Sequence, residues 1–266
     1  MSNSASFIGD IPRYYDEGLG PNLFNFYASD IAERVANYTP KHTLELAAGT
    51  GIVSQKLRNR LPADAALTAT DLNQEMLDIA EEKLSSVPNT DFQTADALAL
   101  PFSDSSFDMV VCQFGVMFFP DKLRSFKEAF RVLTPGGRYI FSVWESWVQN
   151  PFAELAHETI AKFLNSDPPK FYEIPFGYHD KDAIHETLKQ AGFTTILTTT
   201  VDHRVNLQNI PAFAEGLVLG NPVCGEINNA GGNVREIISA LEYELKKTFG
   251  AEACMPLQAT VIDASG

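Results

Sequence analysis

The chain has 266 residues, of which 45% are hydrophobic and 20% are charged, a composition typical of a globular protein with a sizeable core. Its net charge of -14 disfavours nucleic acids and anionic membrane surfaces as partners, because both are bound through clustered Lys and Arg. No apolar run is long enough to span a membrane, and the stretch from Met1 to Phe7 lacks the basic and apolar regions of a signal peptide. Three widely spaced cysteines predict reduced thiols and no metal site, so we expect a cytoplasmic protein.

In chain order, residues 1–22 are expected to form a loose lead-in that ends at Gly18-Leu19-Gly20-Pro21. Apolar residues then recur at helical spacing from Leu23 to Tyr38, which predicts a helix. From residue 43 to residue 144, strand and helix patterns alternate, and this alternation is typical of a doubly wound α/β fold with a mostly parallel sheet. The predicted strands are 43–47, 66–70, 91–95, 107–114 and 138–144, and predicted helices start near Ile52, Asn73 and Asp121.

Two stretches interrupt this alternation in the second half of the chain. Residues 145–179 are rich in Pro and aromatic residues and predict an insertion with one helix over 151–164. Residues 205–250 predict a second insertion with helices near 213–219 and 234–249. A helix from Asp180 to Gly192 and strands over 193–201 and 257–263 complete the pattern. We therefore expect a lead-in and helix (1–42), a cofactor-binding core (43–144), an aromatic cap insertion (145–179), a core helix and strand (180–204), a helical insertion (205–255) and a last core strand (256–266).

The stretch Leu44-Glu-Leu-Ala-Ala-Gly-Thr-Gly-Ile-Val-Ser54 is the strongest candidate for a binding site. It predicts a strand, a turn of small residues and the start of a helix. Ala and Gly let a ligand approach the backbone closely, and the first turn of the helix offers free amide hydrogens. A tight turn that binds no ligand would have the same sequence pattern.

Three acids fall at the ends of successive predicted strands, namely Glu45, Asp71 and Asp96. Ligands of open parallel sheets bind outside the carboxyl ends of the strands. Asp71 could accept two hydrogen bonds from a ribose diol, and Asp96 could accept one from an exocyclic amino group. Each acid alone could equally be a helix cap, but all three behind an Ala/Gly turn indicate a nucleoside site.

At this point the sequence resembles the class I S-adenosylmethionine-dependent methyltransferases, and it is similar to the subgroup that modifies small molecules. The resemblance spans about residues 43–144 and implies a seven-stranded Rossmann-like sheet with an antiparallel last strand. It is carried by five segments, which are Leu44-Glu-Leu-Ala-Ala-Gly-Thr-Gly51, Thr70-Asp-Leu-Asn-Gln-Glu-Met76, Ala95-Asp-Ala97, Leu100-Pro-Phe-Ser-Asp-Ser-Ser-Phe-Asp108 and Glu128-Ala-Phe-Arg-Val-Leu-Thr-Pro-Gly-Gly137.

The resemblance implies S-adenosylmethionine as cofactor, with S-adenosylhomocysteine as its product, and it assigns roles to named residues. Ala47, Ala48 and Gly49 would flank the methionine part together with Glu45 and Gln113. Asp71 would bind the ribose. Leu72 or Met76 would cover the adenine, and Asp96 and Ala97 would contact its edge. Ala47 departs from the family pattern, which often has glycine at this position.

Two other functions remain open. A nucleotide-dependent oxidoreductase also carries an acid about 20 residues after its glycines, but the chain has Ser54 where the third glycine is expected. A non-catalytic cofactor-binding module would share the fold and would lack only the acceptor pocket.

Methyl transfer from a sulfonium needs chiefly positioning, and it needs a general base only when the acceptor must lose a proton. Among the five histidines, His157 and His179 belong to the aromatic insertion and are the candidate bases. The acceptor is expected to be a small molecule with an oxygen, nitrogen or carbon nucleophile, because the Asn/Asp-Pro-Pro-aromatic signature of nucleic-acid methyltransferases is absent after strand four. Candidate acceptor contacts are Phe114, Phe118, Trp147, Tyr178 and Tyr14, although the aromatic residues of the insertion could instead form its own core.

Overall fold

The computed structural model describes residues 5–164, 169–207, 209–250 and 254–266, which form a seven-stranded sheet with helices. The strand order is β3-β2-β1-β4-β5-β7-β6. Neighbouring strands from β3 to β5 pair in parallel, and β7 runs antiparallel to both β5 and β6, which confirms the predicted fold class. The strands are β1 (His42–Glu45), β2 (Ala66–Asp71), β3 (Thr90–Thr94), β4 (Phe107–Gln113), β5 (Leu133–Trp144), β6 (Thr195–Asn206) and β7 (Cys254–Ser265).

The helices precede and separate these strands. None of those in the described ranges is long and apolar enough to cross a membrane. They are α1 (Ile11–Tyr14), a π-helix (Tyr15–Phe24), α2 (Asn25–Ala36), α3 (Ile52–Arg58), α4 (Gln74–Leu84), a 3-10 turn (Val116–Phe118), α5 (Lys122–Val132), α6 (Pro151–Ala161), α7 (Glu173–Gly177), α8 (Lys181–Ala191), α9 (Ile210–Leu219), α10 (Val223–Asn229) and α11 (Val234–Phe249).

The predicted loose lead-in is wrong, because the chain is helical without a break from Ile11 to Ala36. Gly18, Gly20 and Pro21, which suggested a loop, lie inside the π-helix, whose wider turn accommodates them. Gly18 is buried against α9, where a Cβ atom on it would lie 2.5 Å from the carbonyl oxygen of Ala212. The role of Gly18 is therefore to let the π-helix pack closely against α9, and not to make the chain flexible.

Three other local predictions differ from the structure. Thr134-Pro-Gly-Gly137 lies within β5, opposite a register shift of β4 between Phe107 and Met109, and does not form a turn before the strand. The second insertion holds three helices instead of two, and α7 was not predicted. Residues 1–4, 165–168, 208 and 251–253, on which parts of the lead-in and insertion predictions fall, lie outside the described residues.

The chain divides into two compact units. The core unit comprises residues 26–143, 179–201 and 260–266, and the helical unit comprises the described residues of 1–25, 144–178 and 202–259. The six-segment division expected from the sequence stays a prediction.

Apolar side chains cover both faces of the sheet in the core unit. On one face α2 and α3 bury residues such as Ile31 and Leu57 against β2, β4 and β5. Elsewhere in the unit Phe126 of α5 packs against Tyr139 and Phe141 of β5, with ring centroids 6.0 and 5.4 Å apart. Near-complete burial of β4 explains its almost continuous apolar sequence.

A row of aromatic rings forms the interior of the helical unit. Each ring contacts the next, with centroids 4.8–6.5 Å apart, a spacing typical of stabilising aromatic pairs. Two aromatic residues of the insertion, Phe152 and Phe176, therefore serve the core of this unit. The row is Phe7, Tyr15, Phe24, Trp144, Phe176, Phe152 and Phe213.

The packing of Gly18 leads to a stability prediction. Gly18→Ala should lower the free energy of unfolding by roughly 1–3 kcal/mol, because the added methyl group would overpack the contact between the π-helix and α9. Gly225→Ala in α10 is the matched control, since its Cβ would meet no atom within 4 Å, and it should leave stability unchanged or slightly raised. Urea denaturation of both variants measures the difference. Equal stabilities would contradict the close packing.

Candidate cofactor site at the carboxyl ends of β1 and β2

The turn after β1 is fixed by backbone hydrogen bonds to both neighbouring strands. The amide of Leu46 donates to the carbonyl of Val111 (2.8 Å), and the amide of Ala48 donates to the carbonyl of Thr70 (2.9 Å). Ala47 and Gly49 have positive φ angles of 52° and 56°. The chain thus reverses between two anchors, with its backbone in a conformation that favours glycine.

Ala47 occupies the position where the family often has glycine, and Gly115 explains how its methyl group is accommodated. A Cβ atom on Gly115 would lie 2.5 Å from the Cβ of Ala47 and 2.7 Å from the sulfur of Cys112. The missing side chain at Gly115 therefore leaves the space that the methyl group of Ala47 fills. The left-handed φ of Ala47 still costs about 1 kcal/mol relative to glycine.

The carboxylate of Asp71 connects the end of β2 to this turn. Its Oδ2 atom accepts the amide hydrogen of Gly49 (2.9 Å), and its Oδ1 atom accepts the backbone amide of Asn73 (2.9 Å). Burial raises the pKa of Asp71, and these hydrogen bonds oppose the shift. The Oδ1 atom also accepts the side-chain amide of Asn73 (3.2 Å), so Asp71 is held in place, and a ligand hydroxyl group would bind through Oδ2.

Glu45 is the second buried acid of the site, and only 2% of it is exposed. Its Oε2 atom accepts a hydrogen bond from the hydroxyl of Ser54 in α3 (2.7 Å). Burial raises the pKa of Glu45 to about 8, the Ser54 hydrogen bond lowers it, and the charge of nearby Asp71 raises it further. The Glu45 side chain is therefore mostly protonated at neutral pH.

The space where a side chain of residue 49 would lie is open. A Cβ atom on Gly49 would meet only the terminal methyl group of Met76, 4.0 Å away, whereas one on Gly51 would lie 2.8 Å from the Cβ of Ala80. Gly51 thus packs α3 against α4, and Gly49 leaves the backbone accessible beside Met76. This gap is suited to a ligand that must approach the main chain.

The other predicted cofactor residues lie at the same edge of the sheet. The carbonyl of Asp71 accepts the amide of Ala95 (2.9 Å), which places Asp96 and half-buried Ala97 directly after β3. Asp96 is exposed, and its Oδ1 atom accepts the amide of Leu98 (2.9 Å). Leu72 is 60% exposed, Met76 is buried, and Gln113 ends β4.

The candidate acceptor residues of the core unit follow β4. Phe114 is buried with a φ of 53°, and its ring packs edge-on against Tyr27 at 5.5 Å. Phe118 is half-buried in the 3-10 turn, which is held by the Lys122 ammonium group through the carbonyls of Met117 (2.8 Å) and Phe119 (2.6 Å). His179, the second candidate base, also belongs to the core unit and is half-buried.

The helical unit brings Trp147 and His157 together, with ring centroids 5.0 Å apart. The Nδ1 atom of His157 is buried and has no hydrogen-bond partner among the described residues. Tyr178 is half-buried, and burial raises its pKa to about 12. Tyr14 is also half-buried, and the guanidinium of Arg13 lies 4.3 Å from its ring centre.

Four residues that position the site were not identified from the sequence. Ser54 bonds to Glu45, the hydroxyl of Thr70 donates to the carbonyl of Glu45 (2.8 Å), Asn73 bonds to Asp71, and Gly115 makes room for Ala47. Asn73 was predicted only as a helix cap, and only its position two residues after Asp71 hinted at this contact. Within the described ranges, no three His, Cys, Asp or Glu side chains cluster as a metal site would require.

The chain matches known methyltransferases in sequence. The family model described as "Methyltransferase domain" matches residues 44–141. A ubiquinone/menaquinone biosynthesis C-methyltransferase of Rickettsia felis is 36% identical over 190 residues, which cover 65% of this chain and 76% of that protein. A demethylmenaquinone methyltransferase of Deinococcus radiodurans is 39% identical over 110 residues, and these cover 41% of this chain and 45% of that protein.

Solved structures share the fold. The YcgJ protein of Bacillus subtilis aligns with a TM-score of 0.58 and 17% identity, over 88% of this chain and 97% of that chain. Phosphoethanolamine N-methyltransferase 2 of Haemonchus contortus, solved with S-adenosyl-L-methionine, aligns with a TM-score of 0.60 and 17% identity, over 100% of this chain and 60% of that chain. The strand order, the Ala/Gly turn with its buried acids and these sequence matches lead to one conclusion: the chain belongs to the class I S-adenosylmethionine-dependent methyltransferases.

Proposed function

We propose that this methyltransferase acts on a carbon atom of a small hydroquinone-like ring. The observation that carries the proposal is the 36% identity to a quinone-biosynthesis C-methyltransferase, over 76% of that protein's length. A hydroquinone is planar, largely apolar and electron-rich, so it suits contacts with aromatic side chains. The acidic net charge of -14 also fits an uncharged acceptor better than an anionic one.

The cofactor supplies an activated methyl group when it is bound, and the geometry of the turn fits it. Asp71 is proposed to bind the ribose, because hydrogen bonds from Gly49 and Asn73 hold its carboxylate at the turn. The open backbone at Gly49, with Ala47, Ala48, Glu45 and Gln113, is proposed to hold the methionine part. Leu72 and Met76 are proposed to cover the adenine, and Asp96 and Ala97 to contact its edge.

Ser54 supports this assignment over a nucleotide-dependent oxidoreductase. It occupies the position of the third glycine in the dinucleotide fingerprint, where glycine allows the helix to pack closely on the strand. In this chain the Ser54 hydroxyl instead bonds to Glu45 and satisfies part of the hydrogen-bonding capacity of that buried acid.

We also propose a cytoplasmic location for the protein.

His157 is the proposed general base. A hydroquinone becomes a strong carbon nucleophile only when it loses a phenolic proton, so a base beside the acceptor should raise the rate. The His157 ring is fixed against Trp147, and its Nδ1 atom has no partner among the described residues. In the same unit, Trp147, Tyr178 and Tyr14 are proposed acceptor contacts, because they lie outside the aromatic row of the core.

In the core unit, Phe114 and Phe118 are proposed acceptor contacts. They follow Gln113 directly after β4, and the Lys122 ammonium group holds the turn that carries Phe118. His179 is kept as an alternative base.

An acceptor assay tests the proposal. The protein is incubated under reducing conditions with S-adenosylmethionine and a short-chain naphthohydroquinone that has one unsubstituted ring carbon. We expect a product that is one methylene heavier, with a new C-methyl signal by NMR. Matched phenol and amine acceptors are the controls. Methylation of these at oxygen or nitrogen, with none of the hydroquinone carbon, would contradict the proposed acceptor without affecting the family assignment.

Asp71→Asn should weaken binding of S-adenosylhomocysteine by roughly 1.5–3 kcal/mol, the scale for losing a charged hydrogen-bond acceptor. Isothermal titration calorimetry measures this change. Asp78→Asn is the matched control, because Asp78 is exposed on α4 and its carboxylate bonds to Gln74. An Asp71→Asn variant that binds as tightly as the parent protein would remove Asp71 from the ribose site.

The two buried acids make stability depend on pH. The pKa of Glu45 is raised from 4.5 to about 8 on folding, so the folded protein binds more protons than the unfolded chain between these values. Stability of the ligand-free protein should therefore fall as pH rises from about 4.5 to 8. Glu45→Gln should remove much of this fall in stability, so the difference in stability between the variant and the parent protein should shift in favour of the variant as pH rises. Denaturation at several pH values measures the effect, and parallel curves would contradict it.

His157→Gln should lower kcat by roughly 10²-fold or more, the usual contribution of a general base, and leave the affinity for S-adenosylhomocysteine unchanged. His179→Gln tests the alternative base. His185→Gln is the control, because its ring nitrogen bonds to the hydroxyl of Thr198 (2.6 Å). Full turnover in both the His157 and His179 variants would exclude a histidine base from these positions.

A further inference from the structure

A groove of about 530 Å³ lies between the end of β6, the start of β7 and the segment that follows β5. All of its lining residues belong to the helical unit, and none is among the residues proposed for methyl transfer. Its volume is within the usual range for small-molecule sites. The polar residues that line it are Gln149, Asp202, His203, Arg204 and Gln258. We call it the β6–β7 groove.

The walls of the β6–β7 groove are held by a buried asparagine. The Asn150 side chain is fully buried and bonds to both backbone groups of Gln258: its Nδ2 atom donates to the carbonyl (3.0 Å) and its Oδ1 atom accepts the amide (3.0 Å). The side chain of Gln258 then donates to Asp202 (2.6 Å), which joins β7 to β6. These bonds fix the groove before any ligand enters.

Arg204 gives the groove a guanidinium group that forms no direct ion pair among the described residues. Among the described residues, the one hydrogen-bond acceptor of its guanidinium is the sulfur of Cys254 at 4.0 Å, and no ion pair to a carboxylate forms. Asp202, two residues earlier on β6, lines the same groove, and its carboxylate accepts the side-chain amide of Gln258. Burial lowers the pKa of His203.

We propose that the β6–β7 groove binds a small organic anion through Arg204, with the side-chain amide of Gln149 as a second donor. Arg204 is exposed, so its guanidinium is accessible to a ligand. A guanidinium recognises carboxylate and phosphate groups through two parallel hydrogen bonds. In a chain with a net charge of -14, an arginine without an acid partner is suited to a ligand that brings its own negative charge.

The test is an NMR titration of the ¹⁵N-labelled full chain with succinate and, separately, with inorganic phosphate, both at constant ionic strength. We expect saturable shifts at the amides of the groove residues with at least one of the two probes. The tighter probe identifies the anionic group. No saturable shift with either probe would overturn the proposal.

Three variants separate a site from general charge attraction. Arg204→Gln should weaken binding about tenfold or more. Arg204→Lys should weaken binding less, because lysine keeps the positive charge and loses only the two parallel N–H donors of the guanidinium. Arg235→Gln is the matched control, since Arg235 is an exposed arginine of the same unit outside the groove. Equal affinities in the Arg204→Gln and Arg235→Gln variants would overturn the assignment. Because the readout is binding, it is independent of the proposed acceptor.

Discussion

The hydrogen bond from the amide of Gly49 to the carboxylate of Asp71 is the contact on which the cofactor site depends. It closes the turn after β1 against the end of β2, and the Asp71 carboxylate also binds Asn73, the residue before α4. Without it, the amide of Gly49 would lose its acceptor and the turn would lose its side-chain link to β2. The same carboxylate therefore holds the turn and is proposed to bind the ribose.

This arrangement has an energetic cost, because two acids, at the ends of β1 and β2, are buried beside one turn. Glu45 keeps its proton at neutral pH and bonds to Ser54, whereas several donors oppose the upward pKa shift of Asp71. A site with one neutral and one hydrogen-bonded acid avoids placing two close charges in an apolar region. The ligand-free protein thus gives up some stability for a pre-formed site, as is common where function needs polar groups in a core.

Much of the fold and the cofactor edge could be predicted from the sequence, because both depend on local patterns. Alternating strands and helices fixed the parallel part of the sheet, and acids after successive strands identified its carboxyl edge. The lead-in was mispredicted because Gly18 and Pro21 usually end helices, and only the distant contact with α9 shows why a π-helix tolerates them. Gly115 was missed for the same reason, since its role depends on the methyl group of Ala47 across the fold.

The acceptor side was harder to predict, because aromatic residues serve packing and binding alike. The sequence could not separate Phe152 and Phe176, which belong to the aromatic row, from Trp147 and Tyr178, which do not. Only the places of these side chains in the folded structure distinguish the two pairs. The histidines pose a similar problem, since the buried Nδ1 atom of His157 and the contact of His185 with Thr198 are visible only in the folded chain.

Calorimetric titration of the purified chain with S-adenosylhomocysteine, with NAD titrated in parallel, tests the central claim most directly. The account predicts saturable binding of S-adenosylhomocysteine at one site per chain, with affinity in the micromolar range or tighter (on the order of -8 kcal/mol), and no binding of NAD. Binding of NAD without S-adenosylhomocysteine would contradict it, because the turn at Gly49 would then serve a dinucleotide.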